Sequence, residues 1–254
     1  MTQFQTYRPK GISVIERDDP SVGNIIYDEL GELVQARLNE AFKGVNHIED
    51  TTEYAQGQPL AFSNIPRNLF RNQVLINETK GKVQLQTPFQ MIQYWNLVKD
   101  PNTYADTNSV SVFPKEGPNE TLRKRVLKIL GISPKSLKVP IIVANLGVER
   151  ADNDYGFTFT DSDFQVIPAP FLQQDGTYLF DKDKNTLVPD PNGVQIWTPS
   201  DQSGLRRAGR GGGDCLVFGD GVLLGSYGGG RVQFFYNPQG RENFGKRKKI
   251  KINL

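Results

Sequence analysis

Three Asp-Gly or Asn-Gly steps constrain this chain more than anything else in it: Asp175-Gly176, Asn192-Gly193 and Asp220-Gly221. Such pairs supply the positive φ angles that tight turns need. Short apolar or alternating segments stand beside them, at 171–180, 194–197, 215–218 and 222–224. The expectation is a hairpin at 175–176, a turn leading into the strand 194–197, and a hairpin at 220–221. Residues 141–144 read as a buried strand, and Phe157, Phe159, Phe164 and Val166 alternate in further strand-like segments. From 141 to 236 the chain therefore reads as strands and turns, with no repeat of constant period.

The first half follows another rule. Val22, Ile26, Leu30, Leu33, Val34, Leu38, Ala41 and Phe42 recur every three or four residues. This spacing predicts a helix capped by Ser21 and closed at Gly44. Residues 46–72, with Pro59 and Pro66, read as irregular, and 74–76 and 83–85 as two strands joined by the turn 78–81. Pro88 opens a second helix with Met91, Ile92 and Trp95, since proline suits a first turn. A third is expected over 120–130, capped by Asn119 and ended by Gly131, with Arg123, Lys124, Arg125 and Lys128 on a solvated basic face. The fold class is α+β: a helix-containing region 1–140, with an extended N-terminal arm, packed with a Gly-rich, hairpin-rich region 141–254 that ends in a basic arm.

Side-chain chemistry narrows function. One His and one Cys among 254 residues exclude a Cys/His zinc site and a disulfide framework. They also leave His47 as the sole imidazole for acid–base catalysis. No apolar run reaches the roughly 18 residues of a membrane span, and residues 1–10 lack the apolar segment of a secretion signal. The expected location is intracellular or within a virion, with no membrane partner.

The net charge of +2 hides two opposed blocks. Residues 149–203 hold ten acids and three bases, while 204–254 hold ten bases, three acids and 13 of the 25 glycines. The basic block carries Arg206, Arg207 and Arg210 and ends in Lys246-Arg247-Lys248-Lys249-Ile250-Lys251. Three settings suit such blocks: neighbouring strands that neutralise each other, a tail on an acidic surface of another subunit, or a tail on nucleic acid. Arg206 to Gly213 reads as a flexible connector, or as cations and amides able to hold phosphate.

Three motifs remain. Glu78-Thr79-Lys80, read as following the strand 74–76, resembles the catalytic half-motif of the PD-(D/E)xK nucleases. That resemblance implies a carboxylate on Mg²⁺ with Lys80 polarising water or the phosphorane; an exposed turn is the competing reading. Asp152-Asn153-Asp154 and Asp181-Lys182-Asp183 resemble the opening of calcium loops but lack the glycine and closing glutamate of an EF-hand, so they read as polar turns. The glycines at 219, 221 and 225 lead into no helix, as a dinucleotide loop would require.

The expectation is a non-enzymatic structural or assembly protein without cofactor. It would contact other subunits through its N-terminal arm and through Arg206, Arg207, Arg210, Lys246, Arg247, Lys248, Lys249 and Lys251. Arms and glycine-rich hairpins of this kind suit a virus or phage particle. The alternative is a nucleic-acid binder, or a nuclease using Glu78, Lys80 and Mg²⁺.

Overall fold

A computed structural model describes residues 29–45, 48, 64–93, 95–98, 105–211 and 215–225, and the backbone of short strands elsewhere. In chain order the first elements are Gln5–Tyr7 (β1), Val14–Glu16 (β2), Ser21–Asn24 (β3), Glu29–Ala41 (α1), Thr52–Ala55 (β4), Gln58–Ala61 (β5), Ile65–Glu78 (α2), Val83–Leu85 (β6), Pro88–Gln93 (α3) and Trp95–Val98 (α4). There follow Ala105–Val112 (β7), Glu120–Leu130 (α5), Ile141–Ala144 (β8), Gly147–Arg150 (β9), Phe157–Thr160 (β10), Gln165–Pro168 (β11), Gly176–Asp181 (β12), Thr186–Pro189 (β13), Val194–Trp197 (β14), Leu205–Arg210 (β15), Cys215–Asp220 (β16) and Gln233–Tyr236 (β17). Helices and a large, mostly antiparallel sheet thus coexist, which is the α+β class.

Eight strands form the main sheet in the order β11-β8-β7-β15-β16-β14-β12-β13. All of its pairs are antiparallel except β14 with β16. The sheet rolls until its two edges meet. Thr186 Oγ1 on β13 donates to Pro168 O on β11 at 2.7 Å, and Asn185 Nδ2 donates to Val166 O at 3.4 Å. The result is nearly a barrel. Both strand 7, from the first region, and strands 8 and 15, from the second, lie in this one sheet.

Rolling gives the sheet an inside and an outside, and the residue alternation obeys it. Ile142, Ile167, Ala208, Leu216, Phe218, Ile196, Tyr178 and Leu187 pack inside, closed by Phe89, Met91 and Ile92 of α3. Ile141, Val143, Val110, Val112, Val166 and Leu205 point outward, under Leu38 and Phe42 of α1, Ile65 and Leu69 of α2, and Leu122, Val126 and Leu127 of α5. Strand 8 is buried on both faces, which explains its unbroken Ile-Ile-Val-Ala run.

Amide side chains join the helical layer to the barrel. Asn64, Asn68 and Asn72 recur every fourth residue, so they share one face of α2. Asn68 Nδ2 donates to Asp106 O at 2.9 Å. Asn72 Oδ1 accepts from Leu85 N at 2.8 Å while its Nδ2 donates to Asn145 Oδ1 at 2.9 Å. Asn108 Nδ2 reaches the same Asn145 oxygen at 2.6 Å and Leu85 O at 3.0 Å. Asn145 itself sits at φ 61°, a left-handed conformation that asparagine tolerates better than other side chains.

Several expectations are corrected. Residues 21–24 form β3, paired with β17, so the first helix begins only at Glu29. Residues 74–78 end a helix rather than form a strand. Asn64 Oδ1 caps it by accepting from Arg67 N at 3.0 Å, and Pro66 opens it. Its asparagines interrupt the apolar stripe and hide the helical period. Asp175-Gly176 and Asp220-Gly221 do not turn hairpins: the first opens β12 and the second closes β16, which has no partner strand after it among the described residues. In this part of the sheet a tight hairpin is instead formed by β12–β13, turning through 182–185. The third helix spans 120–130 as expected and ends at Gly131, φ 69°. Asn119 does not cap it by its side chain, which donates at 2.8 Å to both Leu205 O and Gly221 O. The basic face of α5 is not wholly solvated: Arg123 is buried on Phe113 O and Pro114 O, and Arg125 Nε donates to Phe159 O at 2.8 Å.

Asn145→Ala removes the acceptor for two side-chain amides and leaves alanine at positive φ. The expected loss is about 3 kcal/mol by urea denaturation. A loss below about 0.5 kcal/mol, the level of an ordinary surface change, would show that the junction carries no load.

Candidate functional site

The strand β15 holds three of the sequence-selected residues, Arg206, Arg207 and Arg210, and all three are buried. The stretch from 205 to 210 is a central strand, so the flexible-connector reading is overturned for 206–210, while 212–213 lie outside the described residues. Arg206 crosses the rim of the barrel. Its Nε donates to Ser203 O at 2.8 Å, its Nη1 to Gly219 O at 2.8 Å, and its Nη2 to Asp201 Oδ1 at 2.9 Å. Arg207 lies beside Val110 on the outer face and pairs with Asp106 at 3.7 Å and with Asp220. Arg210 stands across from Leu216, on the inner side, and is fully buried. The Arg206 and Arg207 guanidinium groups are engaged within the wall. They build the barrel and present no cationic surface.

Asp201 completes the rim. The Ser203 hydroxyl donates to its Oδ2 at 2.6 Å, and with Arg206 holds the carboxyl below its ordinary value against a smaller opposing effect of burial. Tyr178, inside the barrel, shows the reverse: burial raises its phenol, whose oxygen accepts from Gln173 N at 2.7 Å and whose hydroxyl donates to Phe171 O at 3.0 Å.

Glu78 and Lys80 sit at the C-terminal end of α2 and its closing turn. The strand-end setting of the nuclease half-motif is therefore missing, and Glu78 Oε1 is paired with Arg37 Nη1 of α1 at 2.6 Å. Asp152 and Asp154 are exposed at the tip of the β9–β10 hairpin, where Asn153 Oδ1 accepts from Tyr155 N at 2.9 Å and orders the turn. Asp181 closes the β12–β13 turn. It accepts from Lys184 N at 2.9 Å and pairs with Lys184 Nζ at 3.0 Å, and both contacts hold its carboxyl below the ordinary value. Asp183 is exposed on the same turn. Among the described residues no three His, Cys, Asp or Glu side chains converge. Lys246, Arg247, Lys248, Lys249 and Lys251 lie outside the described residues.

Two surface features were not anticipated. One is a cleft of about 370 Å³ between α2 and the 145–163 segment, lined by Asn72, Gln73, Ile76, Asn77, Asn145, Ser162 and Asp163. The other is half of the outer barrel wall. Leu179 lies between inward-facing Tyr178 and Phe180, and Trp197 follows inward-facing Ile196, so both point out. Each keeps 39% of its surface exposed. Val188 pairs with Leu179, and Val217 lies beside Trp197. The Trp197 ring packs over Gly219, where a Cβ would collide with it. Alternation in 176–197 was visible in the sequence, but which side would be covered was not.

Comparison with family models, with curated proteins and with solved structures found no match to this chain.

Two outcomes follow from the rim and the wall. Arg207→Met removes the guanidinium that Asp106, only 2% exposed, meets at 3.7 Å, and is expected to cost about 3–5 kcal/mol by chemical denaturation; a change under about 1 kcal/mol would contradict this. Asp201 has a lowered carboxyl, so its contribution is present above the ordinary value near 3.8 and is lost as pH falls below it. The stability gap between wild type and Asp201→Asn should hold steady above about pH 5 and narrow from about pH 4 downward. A gap independent of pH would contradict the pairing. Its size is modest, below about 1 kcal/mol, because the carboxylate is 56% exposed.

Proposed function

We propose that this chain is a non-enzymatic structural subunit that assembles with other protein subunits through its terminal segments. One observation carries the reading: the barrel is wrapped by helices on one half of its outer wall, while the other half leaves Leu179 and Trp197 exposed. A sheet face with large apolar side chains in water is a typical contact surface. The polar chemistry supports the same reading. Arg206 and Arg207 bind carbonyls and carboxylates of their own fold, and the carboxylates of the two calcium-like motifs lie on turns. The terminal lysines supply the charge that draws a neighbour in, and electrostatic contacts of this type weaken as salt rises. Virus and phage particles are the setting that such a subunit suits.

Light scattering after size exclusion tests the reading. The full chain should run as an oligomer at about 50 mM salt and shift toward monomer at about 500 mM, since screening shortens from over 10 Å to below 5 Å across that range. Removal of 246–254 should give monomer at both. A monomer whose mass ignores both salt and truncation would overturn it.

A further inference from the structure

The exposed half of the barrel wall has a chemistry that matches one segment of this chain. Resting on the subunit reading above, we propose that residues 249–254 of a second copy dock on the outer face of β12, β14 and β16. That segment reads Lys-Ile-Lys-Ile-Asn-Leu. Its strict alternation puts Ile250, Ile252 and Leu254 on one side and Lys249, Lys251 and Asn253 on the other when extended.

The receiving wall is complementary in both respects. Leu179 with Val188 and Trp197 with Val217 offer two apolar pairs on adjacent strands, separated on the same face by Thr177 and Gln195. Acids stand at both ends of the strand pair β12–β13: Asp175 and Asp190 at one end, Asp181 and Asp183 at the other. Across 165–203 there are five acids and two bases. An alternating cationic strand would set its isoleucines on the wall and keep its lysines on the far side, within the field of these acids. Trp197, rigid on Gly219, has the character of an anchor for such a contact. Each copy would carry one wall and one tail. The contact is therefore heterologous, and it yields rings or chains of subunits unless two copies exchange tails reciprocally.

The wall also contains the chain's single thiol. Cys215 and Val217 flank inward-facing Leu216, so Cys215 faces out beside Gln195. This gives a direct test in the full chain. Ile252→Cys is mixed as equal parts isotopically heavy and light protein and treated with a short bismaleimide. The expected result is a 215–252 linkage, about half of it joining a heavy to a light chain, and its loss in Cys215→Ser. Leu179→Cys in the Cys215→Ser, Ile252→Cys background should restore a linkage. Trp197→Lys, with an unchanged melting curve, should weaken association at least tenfold by light scattering.

Linkage only within single chains, or none from either wall position, overturns the docking. If the chain still associates in a salt-dependent and tail-dependent way, the receiving face is wrong and the subunit reading stands. If the chain is a monomer throughout, the subunit reading falls and takes the docking with it.

Discussion

A central strand that carries three arginines can stay buried only if each charge finds a partner, and this requirement organises the barrel. An unpaired guanidinium in an apolar interior would cost several kcal/mol. Arg207 meets Asp106 from strand 7 and Asp220 from strand 16, so one side chain ties β15 to both of its neighbours. Arg206 is matched by Asp201 and by the Ser203 and Gly219 carbonyls, which draws the 199–203 turn onto the rim. The charge blocks visible in the sequence are partly explained here. The basic strand neutralises acids of its own sheet, and the lysines beyond residue 245 lie outside the described residues.

Amides perform the second joining task. Asn145 receives donors from Asn72 on α2 and Asn108 on β7, and both of those asparagines also hold strand 6. Through strand 6 the small β3-β17-β6 sheet is fastened to the barrel. The polar face of α2 is thus a set of connectors between two sheets. It occupies the place where an apolar helix face would pack against one.

The third helix, strand 8 and the β-rich second half were legible in the sequence because local signals and final setting agree. Gly131 takes the positive φ that its position implies, and Ile141 to Ala144 are buried as their composition suggests. Helix α2, Ile65–Glu78, was not legible. Its buried face mixes Arg67, Asn68, Arg71 and Asn72 with Ile65, Leu69, Val74 and Leu75, and periodicity treats the polar members as surface. The Asp-Gly steps misled for a related reason. They mark turns, but strand 12 pairs with both 13 and 14, so the chain crosses over at 190–193 and makes its tight hairpin through Lys182 to Asn185. Charge alone could not distinguish arginines inside a wall from arginines on a surface; β15's place at the centre of the sheet decides it. The exposed wall needed the structure as well, since only the rolled sheet shows which alternating residues the helices cover.

The docking proposed above would bury this wall against another copy of the chain. Trp197 reports on it directly once Trp95→Phe leaves a single indole. The fluorescence emission of Trp197 should move to shorter wavelength as protein concentration rises through the association range at low salt, and return on adding salt. Emission that stays at the wavelength of an exposed indole while the particle mass grows would contradict the account.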